Sequence, residues 1–247
     1  MSRAYRSFRI FGKLIKILLL MLIFSVIFFL FWRIFSSGNP DSMEGITPND
    51  KVAAAYEQQG DHLVIFKQNL DMITRADYNY GYFAVTDSVF IPEANQIQIT
   101  FRYNNSTIEA LAKDKGLSEV PSRESELFDV SLLLATDLTP ENTEDNLGND
   151  PASVKMTRIH ATEVIPETKN VYNFRRLIFD LDELGLSLSE LIESGTLLAV
   201  YTDVYYIEEI NYDEPAYGTL CIYDHLSKTY DVKLTGADKK ALKNYGK

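Results

Sequence analysis

From Thr196 to Ile207 the side chains alternate in polarity. On the strand this spacing predicts, Tyr201, Asp203 and Tyr205 share one face, opposite Leu198, Val200 and Val204. A tyrosine offers a flat apolar ring tipped with a hydroxyl, and a neighbouring carboxylate adds charge. Together they suit a sugar ring, by stacking, or a basic peptide, by charge. Tyr206, Glu208, Glu209, Tyr212, Asp213, Glu214 and Tyr217 extend the pattern, and Tyr78, Tyr80 and Tyr82 form a second group. The plainer reading is that these tyrosines cap a domain edge with their hydroxyls in water.

Other candidate chemistry is thinner. Asp180-Leu181-Asp182 sets two carboxylates two residues apart. A basic tail, an anchor, a stem and an Asp-x-Asp are similar to the layout of type II glycosyltransferases, where such carboxylates hold a divalent ion and a sugar nucleotide. The resemblance rests on one tripeptide, and those enzymes alternate strands with helices, which this chain does not. A membrane-tethered hydrolase or transferase using acidic residues is therefore the alternative reading, as is an accessory subunit of a membrane complex. His62, His160 and His225 are far apart, with no His-x-x-x-His or Cys-x-x-Cys spacing to support zinc. No Gly-x-Ser-x-Gly marks a nucleophile, and no glycine-rich loop would cradle phosphate. Cys221 is the sole cysteine, so no disulfide can form within the chain; in Gly218–Tyr223 it reads as a small hydrophobe on a strand. Residues 137–150 are a polar loop with oxygen ligands of the calcium kind, but their spacing departs from an EF-hand. Calcium there is the one cofactor the sequence suggests, and only weakly; no catalytic, cofactor-binding or metal residue is assigned.

The elements that position these groups are mostly strands. Phe83, Val85, Val89 and Ile91 share one parity, and Pro92–Asn95 reads as a hairpin loop. Ile97, Ile99, Phe101 and Tyr103 alternate with Gln98, Thr100 and Arg102, which predicts a half-buried strand with one wet face. Similar runs recur through 128–134, 154–165, 171–181, 196–207, 217–223 and 229–234, with parity slips that suggest bulges. Ser106-x-x-Glu109 and Ser187-x-x-Glu190 open two short helices, stopped by Gly116 and Gly195. Thr47, Pro48 and Asp50 open an earlier helix that ends by Gly60. The fold class expected is mainly β: an N-terminal transmembrane helix, then an extracytoplasmic antiparallel β-sandwich of immunoglobulin-like architecture with a few short helices.

Location is the clearest message. Ile17–Trp32 carries no charge, and thirteen of those sixteen residues are Leu, Ile, Val or Phe. Their insertion into hydrocarbon is favourable by about 4–8 kcal/mol. Lys16 and Arg33 flank the run and can snorkel, and Trp32 sits where an interfacial aromatic belongs. Arg3, Arg6, Arg9, Lys13 and Lys16 precede it with no acid before Asp41, so the amino terminus stays cytoplasmic and the bulk lies outside. A cleaved signal peptide competes, but the apolar run is long and only Ser36-Ser37-Gly38 approaches a cleavage site. The expected organisation is a cytoplasmic tail (1–16), a signal-anchor helix in the bilayer (17–35) and a flexible stem (36–46). A helical or mixed segment (47–80), the sandwich (81–234) and a Lys-rich helix or tail (235–247) follow. All 35 acidic residues lie beyond residue 40, whereas six of the 24 Lys and Arg lie in the first 33. So acidic a body excludes nucleic acid as a partner and favours an unknown protein or carbohydrate. The function expected is that of a single-pass surface protein with a non-enzymatic binding or scaffolding domain.

Overall fold

Thirty-six consecutive residues, Arg3–Gly38, form one helix, α1, about 54 Å long at 1.5 Å per residue. The computed structural model describes residues 3–38, 43–67, 83–138, 154–169, 171–214, 216–225 and 230–246. It divides the chain into two units, residues 1–41 and 42–247. In the first, the stretch Ile15–Trp32 is long and apolar enough to cross a membrane, and among the described residues none of it is buried. Helix also runs through the basic tail and as far as Gly38, so three residues read as stem continue the rod.

The second unit is mainly β, with two antiparallel sheets. Its strands are β1 (Ile65–Lys67), β2 (Ala84–Ile91), β3 (Gln96–Asn104), β4 (Phe128–Leu138), β5 (Val154–Ile159), β6 (Glu163–Lys169), β7 (Tyr172–Asp180), β8 (Leu197–Tyr206), β9 (Gly218–Asp224) and β10 (Tyr230–Val232). Six form one sheet in the order β10-β1-β2-β3-β7-β6, and four form the other in the order β5-β4-β8-β9. One face of each sheet joins a common apolar core: Ile97, Ile99 and Phe101 from β3 meet Leu132 and Leu134 from β4 and Val200 and Val204 from β8. Aromatic rings order one part of it, with Phe128 edge-on to Phe83 at 4.8 Å and to Tyr103 at 5.1 Å between centres. The helices α3 (Asn105–Asp114) and α4 (Leu188–Glu193) add Ile108, Leu111 and Leu188 to this core. At one edge of the six-stranded sheet, β6 is mostly exposed and carries Pro166 at its middle.

The alternation on β3 implied a wet face, and here the structure differs. Gln96, Gln98, Thr100 and Arg102 are all buried. The outer face of this sheet is covered by α2 (Asp50–Gln59), α5 (Gly236–Asn244) and the segment leading into α2, which build a second apolar cluster from Ile46, Val52, Ala55, Val89, Ile91 and Leu242. Gln98 and Thr100 bond peptide groups lying over them, Gln96 accepts from the Asn49 side chain at 3.0 Å, and the Arg102 guanidinium lies 4.5 Å from the centre of the Tyr172 ring. Val85 and Val89 share a sequence parity yet face opposite cores, because the pairing with β3 slips between Val85 and Asp87.

Two helix starts also move. α2 is capped by Asn49, whose side chain accepts from the Val52 amide at 3.0 Å. Thr47 is not the cap because its peptide is tied to Gln98, its N–H donating to Oε1 at 2.9 Å and its C=O accepting from Nε2 at 3.0 Å. α3 is capped by Asn104, with Thr107 closing the box, rather than by Ser106 and Glu109. At α4, Ser187 caps as expected.

Candidate functional site

Strand β8 lies between β4 and β9, so Tyr201, Asp203 and Tyr205 stand in the middle of the four-stranded sheet. They alternate with Val200 and Val204, which face the shared core, and therefore lie on the sheet's outer face. The sequence expectation of a common face holds in that geometric sense. The face is more closed than alternation implies: Asp203 is 4% exposed and Tyr205 7%.

Arg158 of β5 closes it. Its Nη2 donates to Asp203 Oδ2 at 3.1 Å and its Nη1 to Ser131 Oγ. Its guanidinium lies 5.3 Å from the centre of the Tyr205 ring and 4.7 Å from that of Tyr212, both within cation–π range. Thr219 Oγ1 donates to the other Asp203 oxygen at 2.7 Å, so both carboxylate oxygens are used. Tyr205 and Tyr212 meet edge to face at 5.2 Å. The Tyr205 hydroxyl donates to the Glu214 carbonyl at 3.2 Å, and the Tyr212 hydroxyl to Asp129 at 3.1 Å. Burial, reinforced by Asp203, pushes the Tyr205 hydroxyl above its ordinary pKa; burial with Asp129 does the same at Tyr212. The arrangement is an aromatic cage holding the chain's own arginine. Asp203, with both oxygens bonded, is a structural anion here and not a free base or metal ligand.

The open part of this face lies around the cage. Tyr212 is 40% exposed, and the His160 ring packs 5.3 Å from it. Tyr201 is half-buried beside Cys221, its partner on β9. Burial pushes the Cys221 thiol up to about 11, and its Sγ donates to the Tyr223 carbonyl at 3.1 Å. It is a packed small side chain, as its setting in the sequence implied.

Comparison of the chain with protein-family models, with curated proteins and with solved structures finds no match. The site must therefore be read from its own chemistry.

Asp180 and Asp182 do come together, but around a lysine. Lys51, in the first turn of α2, bonds both carboxylates, and Asp182 also accepts from Asn95 Nδ2. Lys51 and Asn95 hold the Asp182 carboxyl below the usual carboxylate range. An ammonium thus sits where a transferase would hold its metal ion. Among the described residues no group of His, Cys, Asp or Glu is arranged to hold a metal. The histidines stand apart in role: His62 ends the turn after α2, His160 packs on Tyr212, and His225 contacts the Leu198 carbonyl at 3.0 Å. The calcium-type stretch beyond Leu138, and Tyr78, Tyr80 and Tyr82, lie outside the described residues. In the first unit Lys16 and Trp32 are exposed like the residues between them, and Arg33 continues the helix.

Sequence reasoning missed Arg158, and it named Tyr212 only within the wider tyrosine and acid cluster, not as part of a cage. Arg158 precedes Asp203 by 45 residues and reaches it only because β5, β4 and β8 are neighbours. No local pattern carries that information.

Proposed function

We propose that this chain is a single-pass membrane protein: α1 anchors it, residues 1–16 stay in the cytoplasm, and the β-rich unit, an immunoglobulin-like sandwich, lies outside as a non-catalytic binding or scaffolding domain. The observation that carries this reading is the Ile15–Trp32 stretch, an apolar segment of membrane length that is unburied among the described residues. An aqueous chain would leave that surface exposed at a cost of about 25 cal/mol per Å², so a bilayer is its natural solvent. The leading cations set the orientation.

For partner contact, the four-stranded sheet is favoured. The other sheet's outer face is taken by α2 and α5, whereas around Tyr201 and Tyr212 aromatic surface stays accessible. The rings suit stacking against a sugar or a planar side chain, and the surrounding acids favour a neutral or basic partner.

A reporter enzyme that folds only outside the cytoplasm, fused after Lys247, tests the topology. Activity with the protein retained in carbonate-washed membranes supports the reading. An inactive reporter, or protein recovered soluble with its amino terminus removed, overturns it. Capture of envelope polysaccharide or envelope protein by the full-length chain, lost in Tyr201→Ala with Tyr212→Ala, would support the binding face; unchanged capture would discard it.

A further inference from the structure

Residues 43–49 run from the end of the first unit into α2, and they do not hang free. Arg176, whose side chain has no exposed surface, reaches them from β7. Its Nη1 donates to the Met43 carbonyl at 3.2 Å and its Nη2 to the Gly45 carbonyl. Asp87 Oδ2 accepts from the Gly45 amide at 2.8 Å and from Arg176 at 3.2 Å, while Lys67 holds Oδ1 at 2.8 Å. Thr100 Oγ1 donates to the Met43 carbonyl at 2.6 Å, and Gln98 pairs with both peptide groups of Thr47. The sheet thus supplies one jaw of a clamp around this strap.

The other jaw comes from the far end of the chain. Asp238, in the first turn of α5, accepts from the Ile46 amide through Oδ1 at 2.9 Å. Its Oδ2 accepts from the amide and hydroxyl of Thr235, closing the helix's capping box. The same carboxylate presses on Gly45, where φ is +82° and a Cβ would collide with Asp238 Oδ1. Strap and helix are fitted to each other at one atom. The two jaws differ in how firmly they are set. The sheet jaw stands on strands paired on both sides. α5 is nine residues long and buries only Leu242 and Asp238, with an ion pair from Lys239 to Asp61 at 3.0 Å and a hydrogen bond from Tyr245 to Asp50 at 3.1 Å. A nine-residue helix with so little buried apolar surface opens before the sheet does.

We propose that α5 is a latch on the strap: docked, it fixes the segment through which the chain enters the β-rich unit, and displaced or cut away, it turns that segment into a loose tether. A partner that engages α5, or a protease that cuts ahead of it, would thereby free residues 43–49 without unfolding the sheets. The inference concerns contacts within residues 42–247 and stands whether or not the outer face of β8 binds anything.

Hydrogen–deuterium exchange on the full chain in lipid nanodiscs tests it, comparing wild type, Asp238→Ala, Gly45→Ala and a chain ending at Thr235. The Gly45 and Ile46 amides should exchange at least about tenfold faster in all three variants, with β4 and β8 unchanged. Unchanged exchange at residues 43–49 would overturn the latch. Faster exchange spread equally through β4 and β8 would also overturn it, because α5 would then be inseparable from the fold. Gly45→Ala keeps the test decisive if the shortened chain does not fold.

Discussion

At the scale of single residues, the strongest demand is made by a buried cation. Arg176 has no exposed side-chain surface, and burial lowers its pKa while Asp87 opposes the drop. Removing one partner of such a pair leaves a charge without its counter-ion, which typically costs about 3–5 kcal/mol. Asp87→Ala should therefore lower the urea midpoint steeply. Arg158→Ala, at a site where the arginine keeps 21% of its side chain exposed, should lower it less. Equal losses in urea titrations of the two variants would contradict this ranking. Cys221 gives a second test. With its thiol near 11 instead of the usual 9, the thiolate fraction at pH 8 falls roughly a hundredfold. Alkylation of the folded protein at that pH should be slower than alkylation in urea by about that factor. Tyr201, Asp203 and Tyr205 were legible as one face because alternation is a local property of a strand. Their occupancy by Arg158 was not, because it depends on which strands become neighbours.

At the scale of elements, most short helices and strands follow the pattern, with ends set by competition for hydrogen bonds, but the run 154–165 divides into β5 and the start of β6, which belong to different sheets. α3 illustrates it. Two residues before Ser106, Asn104 Oδ1 accepts from the Thr107 amide at 3.0 Å, and the Asn104 amide donates to Thr107 Oγ1 at 3.5 Å. Asn104→Ala should cost about 1 kcal/mol by loss of the cap, whereas Ser106→Ala, already inside the helix, should change stability by no more than about 0.5 kcal/mol. The reverse order in thermal melts would restore Ser106 as the cap. β3 teaches the complementary lesson. Gln98 and Thr100 read as wet because polarity usually reports solvent. Here it reports a peptide strap overhead, a long-range partner that periodicity cannot see. The register slip in β2 is another such case: one extra residue sends Val85 to one core and Val89 to the other.

At the scale of the molecule, tyrosine ionisation links folding to alkaline pH. Burial raises the hydroxyls of Tyr103, Tyr201, Tyr205 and Tyr212 above their ordinary value near 10. The unfolded chain loses these protons from about pH 10 upward, while the folded chain keeps them. Their contribution to stability is thus fully present below pH 10 and is lost as pH climbs through the raised values. Tyrosinate absorbance of the folded protein should lag that of the urea-unfolded chain, and the urea midpoint should fall as pH rises past 10. Superimposable titration curves would refute the burial of these rings. Two sheets and an apolar helix followed from composition and periodicity. The coverage of only one sheet by α2 and α5 did not, because it depends on the first and last helices of the β-rich unit, far apart in sequence, meeting on the same face.

Pro166 stands on an edge strand, opposite Arg175, with Glu163, Glu167 and Lys169 along the same exposed rim. A proline has no amide hydrogen to offer a new neighbour, and charged side chains along an edge disfavour pairing with another strand. Chains confined to a surface meet one another far more often than chains in bulk solution, so the hazard of stacking rim to rim grows with every copy added. At Pro166 this rim offers no amide to such a neighbour, which works against that stacking.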